Sequence, residues 1–377
     1  MKPAQYPYYR NVLFALAMLM LAACDQKDPQ PTNLKEIVDD VVFPYIAFGS
    51  NVGVVVGVIN KGVKTTYTYG EKEIGKRDLV TTQMFFETAS VTKTFTALAL
   101  ADMHLKGELN LDDPIENYLP ATVKVPSRNG KKITLKQLAN HTSGLPADPS
   151  NVDTEAFNKY KDYTEEKMYT FLSGYELPRD PGSEYQYSNV GYGLLGQIMS
   201  IKNKSSYFEV ISSRILQPLG MANTNVQLTE AQKLNLAQGH NGNEKVEPWA
   251  PYQQNIFQGT GALYSTMDDM LIFLQANMDP KSTPLQKAAE LTQQINNIPF
   301  GVLTWRANGI GMAWGEFVIA EQKILSKSGG NGGFTSFIGF NKATQTGVVI
   351  LANSSMNPDA FPSQMGFEIL KKIKALK

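Results

Sequence analysis

The sequence predicts an α+β fold: one antiparallel sheet assembled from strands at both ends of the chain, flanked by helices, with a mainly helical subdomain inserted between the two sets of strands. Three observations lead there. Val52–Asn60 and Val63–Gly70 are β-rich runs separated by Lys61-Gly62, a hairpin signature. A second pair, Phe334–Phe340 and Thr346–Ala352, is joined by Asn341–Gln345, and a final amphipathic helix follows from about Phe361 to Leu376. The long middle is helical in pattern, interrupted by loops rich in Pro and Gly. Such an arrangement places a ligand cleft at the seam between the sheet and the inserted helices.

Composition narrows the function. The chain has 377 residues, 42% hydrophobic and 19% charged, with 35 basic residues against 35 acidic ones. There is no internal repeat, low-complexity tract or basic block, so no nucleic-acid partner is expected. Three scattered histidines and a single cysteine offer no zinc spacing, and no metal or cofactor is expected.

The first residues read as an address. Lys2 and Arg10 precede an apolar run from Val12 to Ala23. That run is shorter than the roughly 20 residues a membrane-spanning helix needs, and has the size and flanks of a secretory h-region. Leu21-Ala22-Ala23-Cys24 looks like a bacterial lipoprotein signal, which makes Cys24 a lipid attachment site. Residues 1–23 are then the leader, 24–33 a polar tether with Pro29 and Pro31, and 34–377 the catalytic domain. The expected location is exported and lipid-anchored, facing the periplasm or cell envelope. Loss of the leader removes two basic residues and leaves the mature chain slightly acidic.

Ser90-Val91-Thr92-Lys93 carries the chemistry. Residues at i and i+3 share a helix face, so the Lys93 amine can reach the Ser90 oxygen. Leu98, Ala101 and Leu105 continue a helical pattern that Gly107 ends. A serine becomes a nucleophile when a neighbouring base takes its proton, and a lysine serves only if burial or nearby positive charge lowers its ordinary pKa of about 10.4. A desolvated cleft meets that requirement better than a surface does.

The motif keeps specific company. Tyr187-Ser188-Asn189 lies far downstream, and Lys327-Ser328-Gly329 opens the strand-rich C-terminal region. Ser-x-x-Lys, a Ser-Asp-Asn-type element and Lys-Thr-Gly together are the known signature of β-lactamases and penicillin-binding proteins. With Tyr-Ser-Asn and Lys-Ser-Gly in the second and third places, the chain resembles the class C β-lactamases and the low-molecular-mass DD-peptidases related to them. Phe86–Thr96 resembles the family's nucleophile segment, and Ile133–Pro146, Pro218–Thr224 and Gly261–Met270 also resemble family elements, in the right order. The run Val125–Leu135 resembles the DD-peptidase branch.

The resemblance implies a β-lactamase/transpeptidase-like fold and a set of roles. Ser90 attacks a carbonyl and forms an acyl-enzyme, and Lys93 takes or orients its proton. Tyr187 is the second acid–base group, Asn189 bonds the substrate's amide side chain, and Lys327 sets positive charge beside Tyr187. Lys327, Ser328 and Gly329 suit a substrate carboxylate. The backbone N–H groups of Ser90 and Gly330 form the oxyanion hole. The implied activity is that of a DD-carboxypeptidase or endopeptidase on D-Ala-type peptidoglycan peptides, able to bind β-lactams. The alternatives are a class C β-lactamase, then an esterase or a non-catalytic β-lactam sensor. The retained Tyr187 and Lys327 count against the sensor, because a binder needs no proton relay.

Other residues read more plainly. His141 belongs to a structural turn near the site, His104 to an amphipathic helix and His240 to a polar loop. Ser265 and Thr266 read as helix-start caps, and Gly329–Gly333 as a flexible loop. No Gly-x-Ser-x-Gly occurs, so a strand–turn–helix serine elbow has no support.

Overall fold

The structure, a computed structural model, describes residues 33–249, 256–298, 307–355, 361–374 and 376. The predicted leader and Cys24 lie outside the described residues.

A seven-stranded antiparallel sheet dominates. In chain order its strands are β1 (Gly53–Asn60), β2 (Val63–Gly70), β3 (Gly309–Ile310), β4 (Gly315–Ile319), β5 (Gln322–Gly330), β6 (Thr335–Asn341) and β7 (Thr346–Ala352). Their spatial order is β2-β1-β7-β6-β5-β4-β3. The seam between the two chain ends is β1 against β7, with Val54 opposite Ala352 and Asn60 opposite Thr346. Both predicted hairpins are present with these partners.

The central strands are buried on both faces, which is why they read as continuous apolar runs instead of alternating ones. Val54, Val56 and Val58 face one layer, made by helices α1 (Leu34–Ala47) and α5 (Phe361–Ile373), where Ile37, Val41, Met365 and Ile369 pack. Val55 and Ile59 face the larger core with the inserted helices. There, helix α4 (Met267–Met278) lies close across the sheet. A Cβ at Gly57 would sit 2.5 Å from Met267 Sδ and 2.8 Å from Leu271, so the absence of a side chain sets that approach.

Helix α2 (Thr92–Leu105), which follows the nucleophile segment, is buried all the way from Thr92 to Met103. It is therefore a central helix and not the amphipathic one expected for His104. His104 Nδ1 accepts a hydrogen bond from Leu111 N at 3.3 Å. His240 is also corrected: it is fully buried in a short strand, Gly239–Asn241, and is bonded to Asn353 O at 3.1 Å. Thr266 caps α4 as expected, whereas Ser265 bonds Thr224 at 2.8 Å and lies before the helix. Lys327-Ser328-Gly329 ends β5 instead of opening the C-terminal strands, and Gly330 is still in that strand. Only residues beyond it belong to the loop.

Candidate active site

Ser90 sits in a single 3₁₀ turn, Ala89–Val91, at the entrance to α2. Ala89 before it has a left-handed backbone, with φ of 44°. A non-glycine residue held there is a strained position of the kind found at functional sites. Two anchors hold the turn. Thr88 N–H donates to Leu263 O at 2.8 Å, and Ser336 Oγ of β6 donates to Thr88 O at 2.7 Å.

Strand β5 is pressed onto the same turn. A Cβ at Gly329 would lie 2.5 Å from Thr88 O and 2.8 Å from Ser90 N, both backbone atoms. Only glycine allows this contact. Beyond Gly330, Asn331 is bonded to the buried Glu87, and its Oδ1 accepts from Gly333 N and Phe334 N. The end of the strand is thereby tied to the segment that carries the nucleophile.

The predicted chemical groups converge. Ser90 Oγ lies 2.7 Å from Tyr187 OH and 3.0 Å from Lys93 Nζ. Lys93 is completely enclosed and also donates to Thr260 O at 2.9 Å. Burial, followed by the charge of Lys327, pushes the Lys93 ammonium well below the ordinary lysine range, against a smaller opposing pull from Asp148. The amine form is the one that accepts a proton. Lys93 Nζ and Lys327 Nζ lie 4.9 and 5.1 Å from the centre of the Tyr187 ring. Lys327 also donates to Ser328 O at 2.8 Å.

Tyr187 is positioned by the turn around His141. Gln186 N–H donates to His141 O at 2.7 Å, and Ser188 N–H donates to His141 Nδ1 at 3.1 Å. The imidazole packs against the Tyr187 ring at 4.6 Å. Burial, with Lys93 and Lys327 nearby, holds His141 well below the usual histidine range, so it remains neutral. Ser188 then caps helix α3 (Asn189–Asn203), its Oγ accepting from Gly191 N at 2.9 Å. That places Asn189 in the first turn of α3, facing the cleft.

A cleft of about 520 Å³ joins these groups, lined by Ser90, Tyr187, Asn189, Lys327, Ser328 and Gly330. Part of its wall is apolar, with Ile310, Phe317 and Phe367 among the lining residues. All the site residues predicted in the described chain therefore share one cleft or border it. Sequence reasoning missed Thr260, Glu87 and Asp148, which hold Lys93, Asn331 and Asn189. Nothing local in sequence marks them, since each acts across a long chain separation. Among the described residues no group of three or more His, Cys, Asp or Glu is placed to hold a metal.

Comparison with known proteins agrees with this geometry. The family model described as Beta-lactamase matches residues 38–364. The D-alanyl-D-alanine-carboxypeptidase/endopeptidase AmpH of Escherichia coli (strain K12) is 26% identical over 366 residues, covering 92% of each chain. Among solved structures, a beta-lactamase/D-alanine carboxypeptidase from Yersinia pestis complexed with citrate superposes with a TM-score of 0.79 at 24% identity, over 91% of this chain and 98% of that one. A class C beta lactamase from Rhodobacter sphaeroides gives 0.76 at 22% identity, over 90% and 99%. With the model covering most of its length, this chain belongs to the Beta-lactamase family of serine hydrolases.

Proposed function

We propose that this chain is a DD-carboxypeptidase/endopeptidase that cleaves D-Ala-type peptidoglycan peptides through an acyl-enzyme on Ser90 and is acylated by β-lactams. The observation that carries the reading is the position of Ser90 Oγ, within 3.0 Å of both Lys93 Nζ and Tyr187 OH in a cleft that also holds Lys327. The similarity to AmpH along nearly the whole chain supports the substrate class.

The chemistry follows from these groups. The uncharged Lys93 amine takes the Ser90 proton as Oγ adds to the peptide carbonyl. The developing oxyanion meets the N–H groups of Ser90 and Gly330, and one such donor typically contributes about 10²–10³ in rate. Tyr187 hands a proton to the leaving nitrogen, the C–N bond breaks, and the C-terminal amine product departs. Water then adds to the acyl-enzyme with Tyr187 taking its proton, and Lys93 returns its own proton to Ser90 Oγ as the ester bond breaks, releasing the shortened peptide acid and restoring Ser90. Lys327 and the Ser328 hydroxyl receive the substrate's C-terminal carboxylate.

The same reading has the protein exported and anchored through a lipid on Cys24. No helix among the described residues is long and apolar enough to cross a membrane. Globomycin treatment should make an unprocessed precursor accumulate, and no change in size counts against the anchor.

The purified protein is to be incubated with a D-Ala-D-Ala peptide, nitrocefin and a fluorescent penicillin. Release of D-alanine with slow, persistent labelling is the expected result. Rapid nitrocefin turnover without D-alanine release replaces the reading with a β-lactamase. Labelling without any turnover replaces it with a sensor. Wild-type behaviour in Ser90→Ala removes the nucleophile assignment.

A further inference from the structure

The first helix changes character along its outer face. In its first half α1 shows Lys35, Glu36 and Asp40 to solvent, as a surface helix does. In its last turn the exposed residues are Phe43, Pro44 and Ala47, and Phe48 and Gly49 follow, also exposed. Phe43 with Ala47, and Pro44 with Phe48, stand four residues apart and so form one strip. Phe43 is 62% exposed and Phe48 84%. No charged residue occurs from Val41 to Asn60.

The exposure is built into the fold. Ile37, Val38, Val41 and Val42 hold the helix against the sheet layer, which leaves the opposite side of its last turn uncovered. The chain then turns back tightly. Phe48 N–H donates to Pro44 O at 2.9 Å, Gly49 N–H to Ile46 O at 3.0 Å, and Asn51 N–H to Tyr45 O at 3.0 Å. Gly49 supplies the left-handed φ of 68° at this corner. Phe48 is thus carried at the tip of a hydrogen-bonded corner.

An apolar strip on a folded surface marks contact with protein or lipid. The chain before α1 favours lipid. The helix starts at Leu34 with Asn33 as its cap, accepting from Glu36 N at 3.0 Å. The residues between Cys24 and Leu34 span about 34 Å at most when fully extended. The helix itself is about 21 Å long. A lipid on Cys24 therefore keeps a bilayer close enough for the strip to touch it.

Resting on the lipid-anchor reading, we propose that Phe43 and Phe48 dock into the interfacial layer of the bilayer to which Cys24 is attached. The lipid holds the protein, and the strip sets which face the protein turns to the membrane. The contact is apolar, so it needs neither anionic lipid nor low salt.

The test uses the lipidated protein purified in detergent. Cys24 is the sole cysteine of the chain. With its thiol consumed by lipid, Phe48→Cys supplies the single reactive thiol for an NBD dye. Val63→Cys is the control, 66% exposed but at the other end of the β1–β2 hairpin, where Val63 lies opposite Asn60. Thermal melting checks each fold, and Ala47→Cys, in the same strip, replaces Phe48→Cys should that variant melt early. Each labelled protein is reconstituted into phosphatidylcholine vesicles with brominated acyl chains. Quenching at position 48 should exceed that at position 63 by at least about threefold. It should persist in high salt, and adding Phe43→Asp should cut it by more than about half.

Equal quenching at the two positions overturns the proposal, as does full quenching with Phe43→Asp or its loss in high salt. Shielding of the label that grows with protein concentration in the absence of vesicles also overturns it, and assigns the strip to a second copy of the chain. Mass spectrometry reads the anchor separately. An unlipidated Cys24 removes the anchor reading and the docking with it, whereas a lipidated Cys24 without quenching at position 48 overturns the docking alone.

Discussion

Lys93 Nζ lies 3.0 Å from Ser90 Oγ, and no part of the Lys93 side chain reaches solvent. The pairing depends on the amine being uncharged. Replacing Lys93 by Arg keeps a long side chain but makes it a cation that never gives up its proton. Acylation of Lys93→Arg by a fluorescent penicillin should fall by about 10²–10⁴, the range for loss of a general base. Near-normal labelling would show that Ser90 is activated by another group.

The pH profile follows from the same burial. Acylation should be slow in acid and rise as pH climbs through the depressed value of Lys93. Lys327 is the second cause of that depression, after burial. Removing its charge in Lys327→Met raises the Lys93 value, so the acid limb of the acylation profile should move to higher pH. A limb that stays put or moves down assigns the titration to another group.

Stability should carry the same signature. Unfolded Lys93 binds a proton up to about pH 10.4, while the folded protein refuses it over a wide interval below that. The unfolded state binds more protons in this window, so stability rises with pH there, by up to about 1.4 kcal/mol per pH unit. Lys93→Met should lack this contribution. Urea denaturation at several pH values between neutrality and 10 reads the difference between the two slopes, and parallel slopes would refute an uncharged Lys93.

Tyr187→Phe is a test of chemistry with little change in packing. The ring keeps its contact with His141 and its place beside the Lys93 and Lys327 nitrogens. Only the hydroxyl 2.7 Å from Ser90 Oγ is lost. Turnover should fall by about 10²–10⁴, with the melting temperature close to that of the wild type. A large loss of stability would point to a structural role for the hydroxyl.

Gly329→Ala should separate β5 from the nucleophile turn. The added methyl meets two backbone atoms, Thr88 O and Ser90 N, which cannot rotate away. Overpacking of this kind costs about 1–3 kcal/mol. The variant should lose acylation by more than tenfold, with the loss concentrated in the acylation rate constant. Wild-type acylation would mean that the strand does not need to touch the turn.

Much of this fold is legible in the sequence because two hairpins have local turn signals and their strands have strong β character. The two short strands β3 and β4 are not, since Gly309–Ile310 and Gly315–Ile319 are brief and each opens on a glycine. Helix α1 escapes notice because Pro44 lies within it. The core of the site was readable for a different reason: Ser90, Lys93, Tyr187 and Lys327 are residue types that chemistry dictates. Their supports were not. Asp148 and Tyr160 reach Asn189 only through the packing of a loop, and either would look like an ordinary surface residue in the chain. His240 shows the converse error, a polar neighbourhood in sequence concealing a fully enclosed side chain.

The pairing of β1 with β7 also has a bearing on how the molecule comes into being. Val54 finds its partner Ala352 only after the long stretch of chain between them has been made. Contacts of such long range form slowly, and an early apolar hairpin without its mate is prone to associate with other chains. A pulse-chase experiment should find protease resistance appearing abruptly once the chain has passed Ala352, with little protection gained in stages before it.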